Sequence, residues 1–263
     1  MSDHPLDHPD ILFNLFHVRK TVPIAHPDNK IKDGIVHIDD EVELGYRLYV
    51  HHSNAPILLY FHGNGEIAID YEPIAPFYHT ASASLLVVDY RGYGWSTGTP
   101  LTSTLLPDAQ AVLDHMPSIE REQGIVPDRP LFVMGRSLGS APAIYLAMNN
   151  ADRLRGLIIE SGYADAPSLF RRLGIVIPDN LRNDDSLPLG NDEKIMRVTI
   201  PTLIIHGERD MLIPIKHGQT LYEKASSADK TLVTIPNAGH NDVSFVDVAR
   251  YFSAIRRFLQ AHT

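Results

Sequence analysis

The chain of 263 residues has no cysteine, which excludes disulfide bridges, thiolate metal sites and a cysteine nucleophile. It also lacks a basic block: 23 Lys and Arg stand against 32 Asp and Glu, and the formal net charge is −9. Nucleic acid and anionic membranes are therefore not expected as partners. The acidic N-terminus lacks an apolar run long enough for a signal peptide or a membrane span. A cytoplasmic protein without stable membrane insertion is expected.

No linker rich in Pro, Gly or Ser divides the chain, and its length suits one large domain over residues 1–263. Short apolar segments alternate with segments of helical spacing. The expected strands are residues 35–38, 44–50, 57–61, 84–89, 131–134, 156–160, 202–205 and 231–235. The expected helices are residues 73–80, 105–116, 216–224 and 244–259, with a further one packed on the body within residues 4–19. This alternation predicts an α/β fold with a mostly parallel sheet covered on both faces.

The most informative motif is G-R-S-L-G, which begins at Gly135, directly after an apolar strand and directly before a helix rich in small residues. In that setting G-x-S-x-G is a nucleophile elbow, a sharp turn that strains the serine backbone and exposes its hydroxyl. Gly135 and Gly139 flank the serine because a Cβ at either position would collide where the arms of the turn cross. Ser137 is the candidate nucleophile.

Two later strands end in residues that this chemistry requires. The strand that begins at Thr202 runs into H-G-E-R-D, which carries Asp210, and the strand that begins at Thr231 is followed by a loop that presents His240. A serine hydroxyl needs a neutral imidazole to take its proton and a carboxylate to orient that imidazole. All three candidates follow the carboxyl ends of predicted parallel strands, where open α/β sheets place their sites.

A glycine-rich turn is expected to supply the hydrogen-bond donors that stabilise the oxyanion formed in this reaction. The predicted strand 57–61 runs into H-G-N-G-E at His62, and such a turn can leave backbone N–H groups aimed at an oxyanion. The expected donors are the amides of Asn64 and Leu138, the latter at the start of the helix after the nucleophile. For His62 itself, ordering of the loop is favoured over proton transfer, because nothing else in the sequence requires a second base.

With these residues assembled, the chain resembles the α/β-hydrolase superfamily from about Gly34 onward. H-G-N-G at His62, D-Y-R-G-Y-G at Asp89, G-R-S-L-G at Gly135, I-I-E-S at Ile158 and H-G-E-R-D at His206 are similar to the branch with depalmitoylases, lysophospholipid and monoacylglycerol lipases and uncharacterised bacterial hydrolases. The resemblance implies an eight-stranded sheet whose second strand is antiparallel. It also implies the roles of nucleophile, acid and base for Ser137, Asp210 and His240. Glu160, which ends another predicted strand, is the alternative acid.

Residues 162–198 form a longer connection than is usual between neighbouring strands, and apolar clusters beside a polar run predict a small helical lid. The candidate pocket residues are Trp95, Leu169, Phe170, Leu173, Ile175 and Val176. Packing of the lid on the body, and core packing for Trp95, are the competing interpretations. If the lid residues line a pocket, they predict a neutral acyl group of short to medium length.

The expected activity is that of a serine hydrolase that cleaves a small-molecule carboxylic ester or thioester through an acyl-enzyme on Ser137, with no metal or organic cofactor. The same residues also serve amidases, aminopeptidases, carbon–carbon bond hydrolases and cofactor-free haloperoxidases. A non-catalytic binding protein of the same fold is a further alternative. Neither the natural substrate nor the oligomeric state follows from the sequence.

Overall fold

The computed structural model describes residues 4–24, 26–27, 29–172, 184–185 and 187–263. Its strands are β1 (Ile31–His37), β2 (Glu43–Tyr49), β3 (Ile57–Phe61), β4 (Ser84–Val88), β5 (Leu131–Arg136), β6 (Gly156–Glu160), β7 (Thr202–Gly207) and β8 (Lys230–Ile235). Its α-helices are α1 (Pro9–Leu15), α2 (Ala75–Thr80), α3 (Leu105–Gln123), α4 (Ser140–Asn149), α5 (Ala166–Arg172), α6 (Asn191–Lys194), α7 (Lys216–Lys224), α8 (Val243–Val246) and α9 (Val248–His262). Four short 3₁₀ turns cover Pro5–Asp7, Ala68–Tyr71, Ser137–Gly139 and Ile195–Arg197.

The strands form one sheet in the order β1-β2-β4-β3-β5-β6-β7-β8. Strand β2 runs antiparallel to both of its neighbours, and the other adjacent pairs are parallel. The predicted α/β class, the eight strands and the antiparallel second strand are thereby confirmed. Strands β3, β4 and β6 are buried along their whole length, as expected of parallel strands covered on both faces.

The helices divide between the two faces. Apolar side chains of α3, α4 and α7 pack on one face, and those of α2 and α9 pack on the other. The core is therefore two apolar layers with the sheet between them. This arrangement brings the ends of β5, β7 and β8, with their loops, to one edge of the sheet.

Helix α3 runs seven residues beyond the predicted end at Met116, although Pro117 lies inside it. A proline has no N–H for the carbonyl four residues earlier, which belongs to Leu113. That carbonyl instead accepts a hydrogen bond from the Arg153 Nη2 atom at 2.7 Å. The side chain replaces the missing donor and allows the helix to continue.

The lid prediction falls partly on described residues. Helix α5 follows β6, helix α6 precedes β7, and a bridge between Asp165 and Gly190 joins the two sides of the connection. Residues 173–183 and 186, between the two helices, lie outside the described residues. Helix α1 confirms the predicted N-terminal helix, with Leu12 and Leu15 packed against the core.

No helix in the described ranges combines the length and the apolar character that a bilayer crossing requires.

Candidate active site

Ser137 lies in the turn between β5 and α4, with a left-handed backbone at φ 52°. The turn is tight because the first turn of the helix crosses directly over the end of the strand. A Cβ on Gly135 would meet the Gly139 carbonyl oxygen, and a Cβ on Gly139 would meet the Phe61 carbonyl oxygen. The two glycines are therefore required by close backbone contact, as the motif predicts.

Ser137 and His240 are within hydrogen-bond distance, although 103 positions separate them in sequence. The His240 Nε2 atom lies 3.0 Å from the Ser137 Oγ atom, and the His240 Nδ1 atom lies 2.7 Å from Oδ2 of Asp210. Because an ionised carboxylate only accepts, Nδ1 carries the proton that it donates to Asp210, and Nε2 is left to accept from the serine hydroxyl. The three side chains thus form a hydrogen-bonded series in the order that a serine nucleophile, its base and an orienting acid would require.

Asp210 is held in its ionised form. It is 4% exposed, and burial alone would raise its pKa. Hydrogen bonds from His206, His240 and the Ile213 amide outweigh that effect and lower the pKa of Asp210 well below the usual range. The Ile213 amide donates to Oδ1 at 2.7 Å, and the Leu212 amide donates to the same oxygen at 3.0 Å.

The glycine-rich turn after β3 faces the same site. Within the described part of the chain, neither the Asn64 nor the Leu138 amide donates a hydrogen bond to another group, and both residues line the cavity in front of Ser137. The Gly63 amide is occupied, because it donates to the Glu66 carboxylate at 2.8 Å. An oxyanion that formed beside Ser137 would need such unoccupied backbone donors.

The N-terminal strap, which we define as residues 14–20, holds this turn from outside. The side chain of Asn64 accepts from the His17 amide at 2.8 Å and donates to the Leu15 carbonyl at 2.7 Å. Arg19 donates to the Gly65 carbonyl at 3.1 Å. The strap continues past the turn and bridges Lys20 to Gly94. The first segment of the chain is thus part of the site.

Arg136, the residue before Ser137, is 8% exposed and borders the cavity in front of Ser137. Its Nε atom donates to Glu160 at 3.1 Å, its Nη1 atom pairs with Glu66, and its Nη2 atom donates to the His240 carbonyl at 2.9 Å and to Asn241 Oδ1 at 3.0 Å. All three guanidinium nitrogens are therefore engaged. Glu160, the alternative acid, bonds to Arg136, and the His240 ring bonds to Asp210 instead.

His62 is fully buried, and its Nδ1 atom is 2.8 Å from the Gly63 carbonyl. Its Nε2 atom is 3.2 Å from an Asp89 carboxylate oxygen. Asp89 also accepts from the Ala68 amide at 2.8 Å. These contacts tie the glycine-rich turn to the end of β4, which agrees with the ordering role favoured for His62.

A cavity of about 600 Å³ opens in front of Ser137, within the usual size range of small-molecule sites. The described residues that line it include an apolar group: Leu15, Leu138, Tyr163, Ala166, Leu169, Phe170, Pro188, Leu189, Leu212 and Ile213. Its polar lining residues are Asn14, His17, Asn64, Thr102, Arg136, Ser137, His240 and Asn241. No Asp or Glu is among these described lining residues.

Three outcomes follow for the candidate pocket residues. Leu169 and Phe170 line the cavity. Trp95 does not, and the expectation that it forms a pocket wall is wrong: its Nε1 atom donates to the Gly34 carbonyl at 3.1 Å, so that the indole packs on β1 and β2. Leu173, Ile175 and Val176 lie outside the described residues.

Sequence reasoning missed two parts of the site. The strap residues Asn14, Leu15 and His17 line the cavity, but a short N-terminal helix gives no signal of where on the body it docks. Leu212 and Ile213 also line it. Their place directly after Asp210 was an available signal, since the residues that follow a candidate acid at a sheet edge lie near the site.

The sheet order, the strained serine turn and the Ser–His–Asp contacts together define the α/β-hydrolase class. The family model described as "Serine aminopeptidase, S33" matches residues 52–177 and 192–243. Protein bem46 of Schizosaccharomyces pombe is 32% identical over 209 residues, which cover 78% of this chain and 67% of bem46. The α/β hydrolase domain-containing protein aho-3 of Caenorhabditis elegans is 32% identical over 208 residues, which cover 77% of this chain and 57% of aho-3.

The esterase Pf2001 of Pyrococcus furiosus has the same fold, with a TM-score of 0.74, 19% identity and coverage of 93% of this chain and 98% of the esterase. The chain therefore belongs to the Serine aminopeptidase, S33 family of the α/β-hydrolase superfamily. It spans only 57% to 67% of the length of bem46 and aho-3.

Proposed function

We propose that the protein is a serine hydrolase that cleaves a carboxylic ester or thioester through an acyl-enzyme on Ser137. The observation that carries the proposal is the convergence of four parts on one cavity. Ser137, His240, Asn64 and Leu138 all line it, the Ser137 hydroxyl is within hydrogen-bond distance of His240 Nε2, and the Asn64 and Leu138 amides donate to no other group of the described residues. Asp210 accepts a hydrogen bond from the Nδ1 atom of His240, on the side of the ring away from Ser137.

The chemistry follows from the geometry. The Ser137 Oγ atom attacks the carbonyl carbon as its proton passes to His240 Nε2, and the Asn64 and Leu138 amides stabilise the oxyanion. His240 then gives that proton to the leaving oxygen or sulfur, which departs and leaves the acyl group on Ser137. Water then gives a proton to His240 and attacks the acyl carbon; the bond between that carbon and Ser137 Oγ breaks, the carboxylic acid leaves, and Oγ takes the proton back from His240.

The cavity supports a neutral acyl group of short to medium length. Leu169, Phe170 and Leu189 provide apolar lining, and each methylene buried against such a wall contributes about 0.8 kcal/mol. In a series of p-nitrophenyl esters, kcat/KM should rise with chain length until the pocket is full and then fall. A flat series would contradict the acyl pocket and leave the serine mechanism intact.

The family's description makes aminopeptidase activity the second candidate. Such an enzyme must hold the cationic amino terminus of a peptide, and a buried cation without a carboxylate partner is costly. The described lining has no Asp or Glu, which favours ester or thioester substrates. A higher kcat/KM for amino-acid amides than for neutral esters would reverse this preference.

A fluorophosphonate probe tests the reaction class, since it reacts covalently with an activated serine. Labelling at Ser137 that the substrate slows would support the hydrolase, whereas folded protein that resists labelling would favour a binding role. A single domain over residues 1–263, a cytoplasmic location, and the absence of nucleic-acid or membrane partners stay predictions.

A further inference from the structure

Arg136 does no chemistry in the proposed reaction, yet its guanidinium contacts residues that follow or end three different strands, β3, β6 and β8. It is the last residue of β5, directly before Ser137, and its guanidinium donates to the His240 carbonyl. Through Glu66 it also reaches the Gly63 amide of the glycine-rich turn. The His240 loop and the glycine-rich turn are thus both bonded to one buried cation, directly in the first case and through Glu66 in the second.

We propose that Arg136 is a positioning residue that fixes the distance between the His240 loop and the glycine-rich turn after β3. The inference rests on the proposed function, since these distances matter only if Ser137 reacts. Its guanidinium makes no bond to Ser137 Oγ or to the His240 ring; it holds His240 by the main chain. A misplacement of about 1 Å at such a site can cost about a hundredfold in rate.

The shape of the guanidinium explains why this position requires arginine. Its nitrogens serve four acceptors in three segments of the chain: Glu160 at the end of β6, Glu66 after β3, and the His240 carbonyl and Asn241 together in the loop after β8. A planar fork with fixed donor directions can hold all four at once, whereas a lysine ammonium is a single point of charge with three rotatable donors. Lysine would keep the positive charge and lose the simultaneous contacts.

The charges around Arg136 are arranged to keep it in place. Burial alone would lower its pKa, but Glu66 and Glu160 outweigh that effect and raise it. Burial alone would likewise raise the pKa of Glu66, and Arg136 and the Tyr71 hydroxyl lower it. Tyr251 supports the other carboxylate, because its hydroxyl donates to Glu160 at 2.6 Å. The glycine-rich turn and the end of β6 are therefore both bonded to Arg136 through a carboxylate.

A second cavity, of about 120 Å³, lies on the far side of these charged groups. Arg136, Glu66, Glu160 and Asn241 line it together with aromatic residues. It offers a small cation a route to the position of the guanidinium when the arginine side chain is removed. This feature makes the inference testable by chemical rescue.

The first experiment compares Arg136→Lys with wild type on one p-nitrophenyl ester. We expect kcat to fall by on the order of tenfold or more while KM changes little, because positioning acts on the reacting groups and not on substrate binding. Arg91→Lys is the matched control, since Arg91 makes a bidentate pair with Asp108 at 2.6 and 2.7 Å and lines neither cavity. Its kcat should stay at the wild-type value.

The second experiment removes the side chain with Arg136→Ala and adds guanidinium chloride at concentrations far below those that unfold proteins. Guanidinium should restore part of kcat, whereas equal concentrations of urea or sodium chloride should not. Arg91→Ala should show no response to guanidinium. A merely structural loss would not be reversed by a denaturing cation. If Arg136→Ala does not fold, the Arg136→Lys comparison decides alone.

Three results would overturn the inference: wild-type kcat in Arg136→Lys, a rise in KM with unchanged kcat, or an Arg136→Ala variant that folds, loses kcat and ignores guanidinium. Failure of the proposed function is separate, because wild-type protein would then resist the fluorophosphonate probe.

Discussion

At the scale of single residues, the backbone of Ser137 takes a conformation that L-residues rarely adopt. Ser161, after β6, also has a left-handed backbone, with φ at 46°, and it is fully buried. Ser161 has no bond to His240, however, and its hydroxyl finds no partner in the described part of the chain. The two serines therefore share the strained backbone, and the contact with the His240 ring distinguishes Ser137 from Ser161.

We expect Ser137→Ala to keep the fold and to lose probe labelling and nearly all turnover. Removal of such a nucleophile typically costs about a millionfold in kcat, and the substitution adds no atoms to the turn. Ser161→Ala is the control, because it removes a hydroxyl from a similarly strained backbone and should retain activity. Full turnover in the Ser137 variant would end the assignment.

Ionisation of Asp210 should make the free energy of unfolding depend on pH in the acidic range. Its pKa is lowered in the folded protein from an ordinary 3.8, so its contribution to stability is complete above that value and is lost as the pH falls through the folded pKa. The melting temperature of wild type should therefore fall more steeply below about pH 4 than that of Asp210→Asn. Asp114→Asn, at an exposed carboxylate paired with Arg153, should follow wild type.

Asp210→Asn should also lower kcat, by about ten-thousandfold, because an amide cannot hold the histidine in the required tautomer. Measured turnover near the wild-type value would point to another acid. Glu160 is then the residue to replace next.

At the scale of elements, the crossing of β5 and α4 permits no side chain at Gly135 or Gly139. Gly135→Ala should destabilise the protein by about 1–3 kcal/mol or more, since the new methyl group meets backbone that cannot move aside. Gly239→Ala is the comparison, because its Cβ would meet its nearest atom at an ordinary 3.5 Å. Unfolding in denaturant measures both changes, and equal stability for the two variants would contradict the crossing geometry.

The wall formed by α5 should set acyl length. Phe170 is 6% exposed and lines the cavity, so Phe170→Ala should move the preferred p-nitrophenyl ester toward longer chains. Phe77→Ala, at a ring stacked on Phe252 outside the cavity lining, should leave the preference unchanged. An unchanged preference in Phe170→Ala as well would remove the residue from the pocket.

The sequence predicted elements well where local pattern and tertiary structure agree. Strand β6 and helix α7 have the predicted bounds. Helix α3 does not, because its extension past Pro117 depends on Arg153, which lies 36 positions later in the chain. The predicted last helix is likewise divided at Asp247, whose side chain caps the start of α9 by accepting from the Arg250 amide at 3.0 Å.

The same distinction applies to the site. Ser137, Asp210 and His240 could be selected because each follows the end of a strand, which is a local signal. The strap and the contacts of Arg136 could not, because both depend on which distant loop a side chain meets after folding. Trp95 was misjudged for that reason, since its loop directs the ring to β1 and β2.

At the scale of the whole molecule, the absence of cysteine is the simplest property to test. Thiol-alkylating reagents and reducing agents should leave both activity and melting temperature unchanged, because no thiolate is present to react. Ester hydrolysis measured before and after treatment with a strictly thiol-selective reagent checks this. Stoichiometric inhibition would mean that the reagent had modified another nucleophile.

The strap is held largely through its own main chain: the His17 amide and the Leu15 carbonyl bind Asn64 of the glycine-rich turn, and the Arg19 carbonyl accepts from the Gly94 amide in the loop after β4. Main-chain groups are the same in every residue except for the N–H that proline lacks. Evolution could therefore replace the strap's side chains almost freely while these contacts persisted. The family model matches from residue 52 onward and does not include the strap, so a match to that model carries no information on whether another hydrolase has a strap.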